Sequence, residues 1–120
     1  MASILRVNTL TDASSNNSVG MSTVASGSAK AWVLGSDAAA LTKSFNISGG
    51  TDNGVGDYTY TISSAMDSAN FTSHATGMQN ARRYGFSEAR TTTSNRLDFR
   101  DDNELSADCA NSSAIHGDLA

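Results

Sequence analysis

The chain has 120 residues and a mass of 12.4 kDa, which is the size of one small domain. Its formal net charge is −4 and only 17% of its residues are charged, so it lacks the basic face that non-specific nucleic-acid binding needs. No apolar run reaches membrane-spanning length, and the first residues lack the apolar core of a secretory signal. We therefore expect no nucleic-acid partner, no membrane insertion, and synthesis in a cytoplasm.

The first part of the chain is poor in apolar residues. Residues 4–10 alternate weakly and predict one short strand, and residues 11–17 have the Asp, Ser and Asn content of a turn. From Ser18 to Ser28 the residues are small and polar, with only Val19, Met21 and Val24 to bury. We predict that residues 1–28 form an extended arm that becomes ordered only against another component.

A globular part is predicted to begin at residue 29 and to continue to residue 120. Its first strand contains Trp32 and ends at a turn of Gly, Ser and Asp. Residues 38–41, with Asp37 near their N-terminus, predict one helical turn, which is too short to persist alone.

A hairpin is the strongest local signal in the sequence and runs from Ser44 to Ile62. Two alternating runs flank a cluster of Asp, Asn and Gly, the pattern typical of a β-hairpin. A turn over residues 53–56 would place Tyr60 opposite Gly49. The side chains of one face are then Phe45, Ile47, Tyr58, Tyr60 and Ile62.

Further short strands are predicted in the second half of the chain. Met66 is expected to reach the core from the connection at residues 63–69, and strands are expected at residues 70–76, 81–86 and 95–100. Residues 105–115 form another alternating run, with one face of Ala107, Cys109, Asn111, Ser113 and Ile115. About seven strands separated by turns predict an all-β fold, a small antiparallel β-sandwich with an extended N-terminal arm.

Strand edges in this sequence have few protecting residues. The chain has no Pro, and its only lysines are Lys30 and Lys43. Edge-rich β-proteins of this kind usually cover their edges by association. We therefore expect a homotrimer in which strand edges and the Trp32 strand lie near the subunit contacts.

Three blocks of the sequence resemble a domain found at the C-terminus of bacteriophage tail-fibre proteins, especially those of phages that infect cyanobacteria. The first block is Ala-Lys-Ala-Trp-Val at residues 29–33, the second covers residues 44–59 and 65–71, and the third is the terminal Gly-Asp-Leu-Ala at residues 117–120. The opening residues 1–7, with residues 16–18, are also similar to the start of such fibres. The resemblance spans nearly the whole chain, and the second block is its most specific part.

The resemblance implies a structural protein of the virion, made in the cytoplasm of a host bacterium. It implies a short tail fibre on the tail or baseplate that contributes to host attachment, with other virion proteins as partners. Such fibres normally have a long shaft, and only residues 19–28 stand in its place here. A capsid decoration protein that stabilises the phage head therefore stays open as the alternative. An enzyme that degrades host polysaccharide is disfavoured, because the acidic residues lie in predicted turns and no long β-helix is present.

Candidate binding residues lie in three predicted loops, since loops carry recognition on a rigid β scaffold. They offer amides, carboxylates and an Arg-Tyr pair, which suit a host surface carbohydrate better than an apolar partner. The loop candidates are Asn53, Val55, Arg82, Arg83, Tyr84, Asp101, Asp102 and Asn103. The candidates for attachment of the arm to the virion are its apolar residues Ile4, Leu5, Val7 and Leu10.

Two groups of acidic residues are candidate cation sites. The predicted register makes Asp52 and Asp57 face each other, which is unfavourable unless they are solvated or bridged by a cation such as calcium. No calcium-loop spacing is present, so we interpret them as solvated turn residues. A second acidic group stands beside Arg96 and Arg100 and is interpreted as strand ends with surface ion pairs. Its members are Asp98, Asp101, Asp102 and Glu104.

Histidine and cysteine residues give no recognisable catalytic or metal-binding motif. His74 and His116 are far apart in sequence, and we expect structural or surface roles for them, although a threefold histidine site in a trimer stays open. Cys109 is interpreted as a small buried residue. No serine is paired with a visible base, so we expect no catalytic residues, no bound metal and no cofactor.

Overall fold

The structure is a computed structural model that describes residues 2–78 and 82–120. These residues contain ten strands and one short helix. In chain order they are β1 (Thr9–Thr11), β2 (Ser18–Gly20), α1 (Met21–Gly27), β3 (Ala31–Gly35), β4 (Leu41–Phe45), β5 (Ile47–Gly54), β6 (Asp57–Ile62), β7 (Thr72–Gly77), β8 (Tyr84–Thr91), β9 (Ser94–Arg100) and β10 (Asn111–His116).

Eight of these strands form two antiparallel sheets that pack face to face. Sheet one has the order β4-β3-β10-β7, and sheet two has the order β5-β6-β9-β8. The hairpins β3–β4, β5–β6 and β8–β9 stay within one sheet, whereas the other connections cross between the sheets. The prediction of an all-β antiparallel sandwich is confirmed.

The core lies between the two sheets and follows the alternation of the strands. Leu97 and Phe99 of β9 are buried on the same face, as predicted, and Met66 reaches the core from its loop. The alternating run that ends in β10 also buries the predicted face, composed of Ala107, Cys109, Asn111, Ser113 and Ile115. Inward-facing residues at period two therefore account for most of the packing.

Hydrogen bonds between buried polar groups also join the two sheets. The Tyr60 hydroxyl of sheet two donates to Asn111 Oδ1 of sheet one at 2.8 Å. The amide of Asn95 donates to Ser73 Oγ at 2.7 Å and to Ser113 Oγ at 3.3 Å. Because these groups are removed from water, their partners must come from the opposite sheet. The polar residues on the predicted core face of β10, Asn111 and Ser113, therefore help to join the two sheets.

The register of the β5–β6 hairpin differs from the prediction. Ile47 pairs with Ile62 as expected, but a bulge after Ile47 shifts the following residues of β5 by one, and a second bulge after Asp52 shifts Gly54 by one more. Tyr60 consequently lies opposite Gly50 instead of Gly49. A side chain at Gly50 would collide with the backbone carbonyl of Ala39, so the glycine allows this close approach.

Phe45 was wrongly placed on the buried face of this hairpin. Asn46 adopts a left-handed conformation with φ of 56°, which separates β4 from β5. Phe45 therefore ends β4 in sheet one, where it pairs with Trp32 and is 53% exposed. Its hairpin neighbours Ile47, Tyr58, Tyr60 and Ile62 are buried, as predicted.

The predicted helical turn at residues 38–41 is also wrong. Ala39 has a φ of 61°, and the Ser36 hydroxyl accepts hydrogen bonds from the backbone amides of Ala38 and Ala40. Leu41 already begins β4. A serine-stabilised turn replaces the helix because Ala39 packs into the core from this corner.

Residues 2–28 contain more regular structure than the prediction of an extended arm anticipated. The strand predicted over residues 4–10 is confined to β1, which pairs only with β2. Helix α1 was missed; its N-terminus has no side-chain cap, and none of its residues is buried. The chain then joins the sandwich where the backbone amide of Lys30 donates to the carbonyl of Ile115 at 2.8 Å. The division between an arm at residues 1–28 and a sandwich at residues 29–120 stays a prediction.

The strand predicted at residues 81–86 corresponds to β8, which begins at Tyr84. Its predicted first residue, Ala81, lies outside the described residues. Tyr84 and Phe86 share one face, as expected, and this face is exposed on the outside of sheet two.

Candidate functional site

The three loops that contain the predicted binding residues lie together at one end of the sandwich, which we call the far end. The β5–β6 turn contacts the β9–β10 loop, because the amide of Gly56 donates to Asp108 Oδ1 at 2.7 Å. Arg82, just before β8, forms an ion pair with Asp102 of the same loop at 3.0 Å. The arm meets the sandwich at the opposite end, near Lys30 and Ile115.

Gly56 fixes the far end. Its φ is 68°, a conformation that favours glycine, and a Cβ atom there would lie 2.5 Å from the carbonyl oxygen of Phe99 and 2.8 Å from that of Ala107. Its own carbonyl accepts a hydrogen bond from the Phe99 amide at 2.7 Å. The glycine therefore lets the turn lie directly against β9 and the following loop.

Several of the predicted binding residues are engaged in holding the loops. The amide of Asn53 donates to Thr59 Oγ1 at 2.7 Å and to Asp57 Oδ1 at 3.2 Å. Asp101 Oδ1 accepts from the backbone amides of Asn103 and Leu105, at 2.8 and 3.1 Å. These side chains shape the loops, and the same contacts leave less of them free for a ligand.

The remaining loop candidates present different chemistry. Val55 is 59% exposed at the tip of its turn, and Arg82 and Asp102 are exposed as an ion pair. The backbone of Asn103 closes the loop, while its side chain is exposed. Arg83 faces inward from the same segment, and its buried Nε atom has no hydrogen-bond partner among the described residues.

Two exposed aromatic rings stand beside these loops on the outer face of sheet two. Tyr84 is 45% exposed and Phe86 is 38% exposed, and alternate positions on β8 place them on one face about 6.6 Å apart. The guanidinium of Arg100 lies 5.3 Å from the centre of the Phe86 ring. Asp98 holds that guanidinium through two hydrogen bonds, of 3.0 and 3.1 Å. We call Tyr84, Phe86, Asp98 and Arg100 the aromatic corner.

A row of polar side chains extends from the aromatic corner across the same face. The guanidinium of Arg96 donates to both oxygens of Asp57, with an Nε–Oδ1 distance of 2.9 Å, and lies 3.3 Å from Glu88. These hydrogen bonds hold the pKa of Asp57 below its ordinary value and raise that of Arg96. The outer face of sheet two is therefore a charged and fixed surface, since its carboxylates are already oriented by arginines.

The possible cation site at Asp52 and Asp57 is not formed. The shifted register places Asp52 opposite Tyr58 and Asp57 opposite Gly54. Asp52 instead accepts a hydrogen bond from the amide of Gly54 at 3.0 Å, and Asp57 is paired with Arg96. Within residues 2–78 and 82–120, no three His, Cys, Asp or Glu side chains lie close enough to hold a metal ion together.

Phe86, Asp98 and Arg100 were missed as a site with Tyr84. The alternation of residues 95–100 did predict that Arg96, Asp98 and Arg100 share a face. A β8–β9 hairpin around the Thr-rich turn at residues 91–94 brings Phe86 opposite Asp98 only because of a bulge between Ser87 and Ala89. The sequence pattern predicted the exposed face of β8 and the charged face of β9 separately, but it did not predict how the two strands pair.

The four apolar residues predicted to attach the arm to the virion are all exposed. Ile4 and Leu5 are 74% and 80% exposed, and Val7 and Leu10 are exposed to a lesser degree. Large side chains seldom remain in water as a group without a partner. In the described part of the chain no helix has the length and apolar character needed to cross a membrane.

Comparison of the chain with protein-family models, with curated proteins and with solved structures finds no match in any of the three.

Proposed function

We propose that this chain is a structural protein of a bacteriophage virion, a short tail fibre that contributes to attachment to the host. The observation that carries the proposal is the difference between the two ends of the molecule. The exposed apolar residues of the arm lie at one end, and the far end combines the three loops with the aromatic corner. The molecule extends over 52 Å, and this arrangement suits a protein anchored at one end that binds at the other.

A carbohydrate on the host surface is the ligand class that the far end fits best. A sugar ring has an apolar C–H face that stacks on an aromatic ring and hydroxyl groups that pair with charged side chains. Tyr84 and Phe86 offer two ring faces, and Arg82, Asp102 and Arg100 lie around them. Because Asp98 holds Arg100 in place, little side-chain entropy is lost when a ligand binds there.

Sheet one supports the proposed assembly of three copies. Its outer face carries the apolar residues Trp32, Leu34, Phe45 and Ala114 beside polar residues of β7 and β10, and Lys43 is the one Lys, Arg, Asp or Glu among the described residues of that face. Trp32 and Leu34 of β3 and Phe45 of the edge strand β4 form an apolar patch, and such a patch suits a contact between copies better than contact with water. The homotrimer proposed here uses this patch on β3 and β4.

Capsid decoration is the second candidate function, and the outer face of sheet one also favours it. A sheet face with an apolar patch and with Lys43 as the one Lys, Arg, Asp or Glu among its described residues can lie on a capsid surface, with the arm reaching a neighbouring subunit. In that case the aromatic corner would have no role in adsorption.

Adsorption of phage that carry the double substitution Arg82→Ala and Tyr84→Ala tests the proposal. We expect adsorption to host cells to fall at least tenfold, while thermal unfolding of the purified protein changes little, since both residues are exposed. The matched control is Arg90→Ala with Thr92→Ala, which removes one cation and a second side chain at the opposite end of the β8–β9 hairpin.

Normal adsorption by the Arg82 and Tyr84 variant would contradict the proposal. If the heads of that phage also lose resistance to heat or salt, capsid decoration is the correct function. An equal loss of adsorption in the control variant would likewise show that the far end is not the recognition surface.

A further inference from the structure

The two histidines of the chain lie next to each other in the fold. His74 on β7 and His116 on β10 occupy diagonal positions on the outer face of sheet one, because His74 pairs with Ala114 and His116 pairs with Thr72. Their ring centroids are 6.0 Å apart, and the rings meet edge to face at 79°. These are the two histidines of the chain, so the fold makes them neighbours although they are distant in sequence.

Both imidazoles are free to bind a ligand. Within residues 2–78 and 82–120, neither ring donates or accepts a hydrogen bond, and neither forms an ion pair. Small neighbours, Ala114 and Ser112, leave an open depression of about 290 Å³ beside His74. His116 borders a second depression, of about 320 Å³, whose wall includes Asp118 and Thr72.

We propose that His74 and His116 together chelate one divalent transition-metal ion, with zinc as the reference ion. Neutral imidazole is a ligand of choice for zinc, and each Zn–N bond is about 2.0–2.1 Å long. Tetrahedral coordination by two imidazoles at that bond length places the ring centroids roughly 5 Å apart. The observed rings need to approach by only about 1 Å, which side-chain rotation on two fixed, hydrogen-bonded strands provides.

The pair supplies two of the four positions of a tetrahedral site. Because the described residues contain no third His, Cys, Asp or Glu side chain within reach, water occupies the other two positions in an isolated chain. The inference does not depend on a role in the virion, since it rests on the geometry of β7 and β10 alone.

Calorimetric titration of the full chain with Zn²⁺, prepared without a histidine tag, tests the site. We expect one zinc ion to bind per chain, and either His74→Ala or His116→Ala to weaken binding at least tenfold. Both substitutions are on an outer sheet face, so the variants should keep their fold, which circular dichroism checks. In NMR spectra, zinc should shift the imidazole signals of both histidines in the same titration step.

Cys109→Ala is the control, because this buried thiol is the other strong zinc ligand in the chain. It should bind zinc as the unaltered protein does. The inference is overturned if no zinc binds, if binding survives replacement of both histidines, if only one imidazole shifts, or if binding is lost with Cys109.

Discussion

Gly56 occupies a position where three backbone segments lie close together. Its positive φ and the adjacent carbonyl groups of Phe99 and Ala107 exclude any larger residue without a backbone shift. Gly49, in the same hairpin, has neither constraint, since no atom lies within 4 Å of the place its Cβ would occupy. Glycine is therefore required at position 56, whereas position 49 has room for a larger residue.

We expect Gly56→Ala to lower the free energy of unfolding by about 2–3 kcal/mol, because the new methyl group meets fixed carbonyl oxygens at a strained φ. Gly49→Ala should change it by less than about 1 kcal/mol. Urea denaturation followed by tryptophan fluorescence measures both. Equal effects of the two substitutions would show that the far end is not held through Gly56.

The ion pair between Asp57 and Arg96 makes the free energy of unfolding depend on pH. Because Arg96 lowers the pKa of Asp57 in the folded state, the contribution is present above the ordinary value of 3.8 and is lost as the pH falls through the lowered value. Asp57→Asn should therefore reduce the denaturation midpoint at about pH 7, and its difference from the unaltered protein should shrink towards pH 3 and below.

Denaturation at both pH values checks this expectation. Asp52→Asn is the control, since an asparagine can still accept the hydrogen bond from the amide of Gly54. A difference for Asp57→Asn that persists unchanged in acid would contradict the ion pair as its cause.

At the scale of elements, the two sheets are joined by specific hydrogen bonds as well as by apolar contact. Tyr60→Phe removes one hydroxyl and leaves Asn111 Oδ1 buried without its donor. The expected cost is about 1–3 kcal/mol of unfolding free energy, the range for an unsatisfied buried acceptor. Tyr84→Phe, on the exposed face, should cost less than about 0.5 kcal/mol. Thermal and urea unfolding compare the two, and equal costs would show that the bond to Asn111 contributes nothing.

Patterns with a period of two predicted the elements that have one buried face. Residues 95–100 and 107–115 became β9 and the buried run through β10 because their inward positions carry the core. Register could not be predicted in the same way. The bulges of β5 arise from contacts such as Gly50 with Ala39, which lie outside the hairpin itself.

The sequence pattern likewise could not predict the parts of the site that depend on contacts between different strands. The structure brings the loops with the predicted binding residues together at the far end, but the aromatic corner needs the pairing of Phe86 with Asp98. His74 and His116 were treated as separate residues, since 42 positions of chain divide them and only the β7–β10 pairing unites them. Helix α1 was missed because its N-terminus has no side-chain cap and because it buries no residue.

At the scale of the whole molecule, association should depend on sheet one. We expect the chain to sediment at about three times its mass of 12.4 kDa at micromolar concentration. Phe45→Glu should dissociate the trimer, because it places a charge on the proposed contact face. Phe86→Glu places the same charge on sheet two and should leave the mass unchanged. A monomer in the unaltered protein would contradict the proposed assembly.

Localisation of the protein on the proposed virion tests the tail-fibre proposal most directly. Antibodies raised against residues 29–120 can be located by immunogold electron microscopy on intact particles of the phage that encodes the chain. The proposed function predicts gold at the tail or baseplate, with labelling there competing with attachment to host cells. Gold distributed over the head, or particles without any gold, would contradict a tail fibre.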